Sequence, residues 1–104
     1  MPDRVVRFTE SFFVDLDSQL PDVRSPEGLP SRTDFLLHDL PRLRDRLSRD
    51  FEGNTLSAVG YEPVRILIEA GILVAEVALY AYLRDDDAVE VVAVELQLST
   101  EPND

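Results

Sequence analysis

The stretch Val64-Arg65-Ile66-Leu67-Ile68-Glu69, followed by Ala70-Gly71 and by two longer runs over residues 72–83 and 88–98, decides the fold. β-branched and aromatic residues recur in all three runs, which read as consecutive strands. Asp85-Asp86-Asp87 sits between the last two. Three adjacent carboxylates belong in water, so the triplet predicts the turn of a long hairpin. On the final strand, an unbroken two-residue period puts Val92, Val94, Leu96 and Leu98 on the core face and Val89, Val91, Ala93, Glu95 and Gln97 on the other. On the strand before it, Glu76, Ala78, Tyr80 and Tyr82 alternate with Val77, Leu79 and Leu83. One sheet face should seat helices, and the opposite face should be partly polar.

Toward the N-terminus, Arg4-Val5-Val6-Arg7-Phe8-Thr9 reads as a short strand, and Thr9 can cap a helix beginning at Glu10. Phe12, Phe13, Leu16 and Leu20 recur at helical steps, with Asp15 and Asp17 turned outward, until Pro21 stops the helix. Residues 22–30 hold Pro26, Gly28 and Pro30 with little apolar content and predict a loop. Ser31 caps a second pattern, with Asp34 three positions on, and Leu36, Leu40, Leu43, Leu47 and Phe51 continue one face. Pro41 lacks an N–H and its ring crowds the preceding turn, so this pattern should divide near Leu40, run on to about Asp50 and end by Gly53-Asn54. The expectation is a single α+β domain over residues 1–98. An N-terminal strand and two or three helices pack on one face of a mostly antiparallel four-stranded sheet, and residues 99–104 form a disordered tail.

At 104 residues, with 44% hydrophobic and 30% charged side chains, the chain has the composition of one globular domain. It has no Cys, which excludes disulfides, thiolate catalysis and cysteine-ligated zinc. His38 is the single imidazole, so a histidine metal site is excluded, any Ser-His-carboxylate triad would depend on it, and no metal or cofactor is expected. No stretch approaches the roughly 20 apolar residues of a membrane span, and Met1-Pro2-Asp3-Arg4 lacks the apolar core of a secretion signal. A cytoplasmic location without membrane contact is expected. The formal charge is −11, with 21 acids against 10 basic residues, all arginine. Residues 1–51 carry a net −2 and residues 52–104 a net −9. A field of that sign repels nucleic-acid phosphate and attracts basic partners.

Val6-Arg7-Phe8-Thr9-Glu10-Ser11-Phe12-Phe13-Val14-Asp15-Leu16 at one end, and Leu79-Tyr80-Ala81-Tyr82-Leu83 with Val89-Glu90-Val91-Val92-Ala93-Val94 at the other, resemble the opening strand-helix and closing hairpin of the RelE/ParE superfamily of bacterial toxins. The likeness, carried by element order and apolar spacing, covers nearly the whole chain. It implies the α+β fold above, a cognate antitoxin as partner, and gyrase or the ribosome as target. Ribosome-dependent members of this family are messenger RNA endoribonucleases that commonly carry an arginine three residues before the hairpin tyrosine. Here Val77 precedes Tyr80 and Leu79 precedes Tyr82 at that distance, and the nearby outward positions are Glu76, Glu95 and Gln97. Carboxylates repel an attacked phosphate, so the resemblance leans away from an enzyme and toward protein binding.

The candidate residues follow from this reading. Arg65, Tyr82 and Arg84, with Tyr80, would form an anion-orienting or RNA-cleaving centre if they met on the outward sheet face. Against that, strand aromatics usually pack across strands, and each arginine has a nearby carboxylate in Glu69 or Asp85. Glu76, Tyr80, Tyr82, Glu95 and Gln97 would give an acidic binding face with aromatic anchors, or an ordinary hydrated sheet surface. Arg42, Arg46 and Arg49 form a basic ridge at steps of four and three, interleaved with Asp39, Asp45 and Asp50, and would contact phosphate or an acidic partner or else pair within the helix. His38 beside Asp39 reads as a boundary or solvent-facing side chain. A chain this acidic also suits a decoy that imitates nucleic-acid charge without enzymatic activity.

Overall fold

A computed structural model describes residues 3–23, 26, 30–58, 60 and 62–98; the expected tail at 99–104 and much of the expected loop at 22–30 lie outside the described residues. Strand β1 (Val6–Phe8) runs into helix α1 (Glu10–Gln19), and Thr9 caps the helix by accepting the Phe12 N–H at 3.3 Å. Helix α2 (Arg32–His38) opens on a reciprocal capping box, with Ser31 N donating to Asp34 at 2.9 Å and Asp34 N donating to Ser31 at 3.1 Å. The helical pattern breaks at Asp39 and resumes as α3 (Leu40–Arg49), with Pro41 in the first turn, where its missing N–H costs no helical bond. One further turn, α4 (Phe51–Asn54), is capped by Asp50. The remaining strands are β2 (Leu56–Ser57), β3 (Arg65–Ala70), β4 (Glu76–Leu83) and β5 (Val89–Gln97).

The domain is α+β, and its sheet is mixed and five-stranded in the order β1-β5-β4-β3-β2, one strand more than expected. The additional strand, β2, is two residues long and too short to carry an alternation. β1 lies parallel to β5, and every other pairing is antiparallel. Phe12, Leu16 and Leu20, Phe35, Leu40, Leu43, Leu47 and Phe51 from the helical half pack against Leu67, Val77, Leu79, Ala81, Val89, Val91 and Val94 of the sheet. Burying that apolar surface is the main stabilising term.

The predicted facing of the last strand is half wrong. Val89 and Val91 are fully buried, whereas Val92 is only partly so, and from Val94 onward the expected phase holds. A β-bulge explains the switch. Tyr80 pairs with Ala93 but its neighbour Ala81 pairs with Val91, so Val92 is an extra residue and the inward set steps 89, 91, 94, 96. β4 also begins later than the run at residue 72 suggested. Residues 71–74 form a bend in which a Cβ on Gly71 would meet the Val74 carbonyl oxygen at 2.3 Å. Asp39, fully buried, accepts the N–H groups of Ile72 and Leu73 at 2.6 and 3.1 Å and a 3.3 Å bond from Arg42.

A second correction concerns Asp15, which does not turn outward. β1 covers β5 only as far as Val91, and α1 then runs beside the exposed strand edge. Thr9 N and Ser11 Oγ donate to the carbonyls of Val91 and Val92. Asp15 accepts from Val94 N at 3.2 Å; Gln19 donates to the Val94 carbonyl at 2.7 Å and accepts from Leu96 N at 2.8 Å. Residues 11, 15 and 19 share one helix face at four-residue steps and supply the donors and acceptors of an absent strand.

Candidate functional site

Because the helices fill one side of the sheet, the side chains that alternate outward have no layer of the described residues over them. The register aligns Leu56, Ile66, Tyr80 and Ala93 in one row across four strands, with Ile68, Ala78 and Glu95 in the next and Tyr82 opposite Glu90 beyond. None of these residues belongs to the buried core, and Leu56 and Ile68 are 64% and 48% exposed. A two-residue period over β3 supplies both faces with apolar residues, which is why Ile66 and Ile68 did not stand out as surface candidates.

All five face residues singled out from the sequence, Glu76, Tyr80, Tyr82, Glu95 and Gln97, take part in defined contacts or share a cavity. Tyr80 donates its hydroxyl to Glu95 Oε1 at 2.7 Å; this hydrogen bond, with partial burial and the carboxylate charge, raises the Tyr80 pKa above the ordinary tyrosine value. Tyr82 donates to Glu90 Oε1 at 2.7 Å. Arg84 donates to the Tyr82 hydroxyl oxygen at 3.0 Å and reaches Glu90 at 3.3 Å, with its guanidinium 5.9 Å from the Tyr82 ring centre. The hydrogen bond to Tyr82 and the attraction of Glu90 push the Arg84 pKa up. Glu76, Glu95 and Gln97 line a cavity of about 280 Å³ with Gln19, Ala78 and Leu96. Among the described residues, neither Glu76 nor Glu95 is ion-paired with an arginine.

Arg65 does not join Tyr82 and Arg84. Its register partner is the buried Ala81, so it points to the helix side, where it donates to Thr55 Oγ1 at 2.6 Å, to the Thr55 carbonyl at 2.9 Å and to the Glu52 carbonyl at 3.3 Å. Strand alternation divides the set: Arg65 shares the face of Leu67, whereas Tyr80 and Tyr82 share the face of Ile66. Arg65 fastens β3 to the end of α4, and Glu69 from the same face binds Arg46 at 2.8 Å.

Three arginines of α3, Arg42, Arg46 and Arg49, line a separate groove of about 400 Å³ with Asp45 and Asn54. Arg42 donates to Asp39 and to the Ala70 carbonyl, and Arg46 bridges Glu69 and Asn54, so two of the three are committed to holding α3 against β3 and the bend. Arg49 is exposed and makes no polar contact among the described residues. His38 is exposed in the last turn of α2. The aspartate triplet lies in the exposed turn, as read, and is tied down: Asp86 binds Arg7 at 2.9 Å, and Asp87 binds Arg4 at 3.3 Å, which also holds Glu52 at 2.9 Å. Asp87 takes a φ of 71°, the left-handed conformation that aspartate tolerates better than most residues.

Chemically, the open face has carboxylates, hydroxyls whose protons are already engaged, and one paired guanidinium. Among the described residues no group of three or more His, Cys, Asp and Glu is placed to hold a metal ion, and no helix is long and apolar enough to cross a membrane. No protein-family model, curated protein or solved structure matches this chain.

Proposed function

We propose that this chain is a RelE/ParE-like toxin-family protein of a toxin–antitoxin module whose working chemistry is protein binding: to a cognate antitoxin, and through that or another face to gyrase or the ribosome. The observation that carries the reading is the open sheet face. It couples an apolar row with tyrosine hydroxyls locked to glutamates, which is the make-up of a protein interface and not of a phosphoryl-transfer centre. Further support comes from the element order: a strand and helices precede a run of consecutive antiparallel strands, the short β2 and then β3 to β5, that ends in a long hairpin. Messenger RNA cleavage finds less support, because Arg65 lies on the other side of the sheet from Tyr82 and Arg84.

The test is expression of the chain alone and together with the product of the adjoining reading frame. The expected result is growth arrest in the first case and relief with a co-purifying complex in the second. Normal growth together with no complex would remove the reading.

A further inference from the structure

The geometry points to the open sheet face as the docking surface for a partner segment that combines apolar side chains with lysine or arginine; this rests on the protein-binding reading above. The apolar half of the demand comes from Leu56, Ile66, Ile68 and Tyr80, which lie side by side in adjacent rows and leave a hydrophobic strip open to water. The basic half comes from the margin of the strip. Ala78 and Glu95 continue the row of Ile68 into the cavity of about 280 Å³ that also holds Glu76 and Gln97. Tyr80 orients the Glu95 carboxylate by donating a hydrogen bond at 2.7 Å but brings no positive charge. The carboxylates of Glu76 and Glu95 therefore face the cavity without a countercharge among the described residues, and the long cation of a lysine or arginine suits the space beside an apolar anchor.

Charge chooses among occupants. With −11 on the whole chain and −9 on residues 52–104, a second copy would set like charge against like charge, and a nucleic acid would bring phosphates to glutamates. A basic, apolar segment gains on both counts, and the net field steers it toward the sheet half of the molecule.

The experiment uses the full chain and three synthetic peptides of one length. The first alternates leucine or isoleucine with lysine or arginine, the second has glutamate in place of every basic residue, and the third has serine in place of every apolar residue. Binding is followed by anisotropy and mapped by amide chemical shifts. The first peptide should bind with a Kd on the order of 10 µM and move the resonances of Ile66, Ile68, Ala78, Tyr80 and Glu95. The second and third should bind at least about tenfold more weakly. Raising salt from about 50 mM to about 500 mM should weaken the first peptide several-fold. The pair Glu76→Gln with Glu95→Gln, and separately Ile68→Ser, should each cost about tenfold.

Equal binding of all three peptides, shifts confined to the α3 arginines, or no binding of the first peptide would overturn the proposal, and the peptide comparison decides it even if a variant fails to fold. Peptide binding at the face without growth arrest keeps this surface and removes the toxin reading. Growth arrest with no peptide bound does the reverse.

Discussion

The carboxylate of Asp15 accepts the backbone N–H of Val94 at 3.2 Å, so a helical side chain fills a place that sheet geometry reserves for a neighbouring strand. Gln19 repeats the device one turn on, serving the Val94 carbonyl and the Leu96 N–H at once. An exposed strand edge with unsatisfied polar groups is a template for unwanted pairing, and the polar seam of α1 closes this one.

Replacing Gln19 with Ala should therefore destabilise the domain by about 1–3 kcal/mol, because it strands one donor and one acceptor of β5. Asp15→Ala should cost roughly 1 kcal/mol. Urea unfolding measures both. The double variant should also scatter light at concentrations where the parent chain does not, and a clear solution with unchanged stability would show that the edge needs no cover.

A larger loss is expected at Asp39. Its side chain is fully buried, and it binds Arg42 as well as two main-chain N–H groups. Asp39→Ala leaves the Ile72 and Leu73 N–H groups without their acceptor and removes one partner of Arg42, which keeps the Ala70 carbonyl, and should cost about 3–5 kcal/mol. Hydrogen exchange should locate the damage, with the amides of Ile72 and Leu73 losing protection first.

The Tyr80–Glu95 pair predicts a titration at alkaline pH. The carboxylate favours the protonated phenol, so Tyr80 should ionise above the ordinary tyrosine value of about 10. A pKa raised by folding contributes stability that is complete below the unfolded value and lost as pH rises through the folded one. Glu95→Gln should bring the Tyr80 titration back toward the ordinary value, read by the ring carbon shift of that residue, and should flatten the alkaline end of the stability curve.

At acid pH the sign reverses. The hydrogen bond from Arg7, aided by the Ala88 N–H, holds the Asp86 carboxyl below the usual carboxylate range. Its contribution to stability is present above the unfolded value and disappears as pH falls through the lowered one. In Arg7→Gln, carboxyl carbon shifts should show Asp86 titrating nearer to an unperturbed aspartate; an unchanged titration would mean that the ion pair is absent in solution.

Substitutions on the two sides of the sheet should separate cleanly. Phe12, fully buried and 4.9 Å from the Phe8 ring centre, should cost about 3–5 kcal/mol as Phe12→Ala. Ile68→Ser, on the open side, should stay within about 1 kcal/mol in chemical denaturation.

The helices were legible because their signals are local. Thr9, Ser31 and Pro41 each mark a boundary through their own chemistry, and Phe12, Leu16, Leu43 and Leu47 repeat at steps that only a helix uses. The β4 alternation was legible for the same reason. What escaped depended on partners distant in sequence. Val92 has nothing in its own composition that announces a bulge, since Val91, Val92, Ala93 and Val94 fit either phase. Asp15 and Asp39 look like surface acids until the β5 edge and the bend at residues 71–74 are placed against them. Ser11, Asp15 and Gln19 at four-residue steps were the one available sign of the seam, masked by the ordinary habit of polar residues on an exposed helix face. Arg65 was assigned to the wrong side because Arg65, Leu67 and Glu69 form no less plausible an outward set than Ile66 and Ile68.

The surplus residue in β5 has a consequence for how this surface can change over generations. On the hairpin-tip side of Val92 the even-numbered Glu90 faces outward, and on the far side the odd-numbered Glu95 does, each bonded to its own tyrosine. Deleting Val92 would leave Ala81 opposite Val91 and Tyr80 opposite Ala93 as consecutive pairs with a strict two-residue period, so both glutamates would stay outward and only the local bend would be lost. This strand can therefore shed one residue at that point without turning either tyrosine–glutamate couple toward the interior.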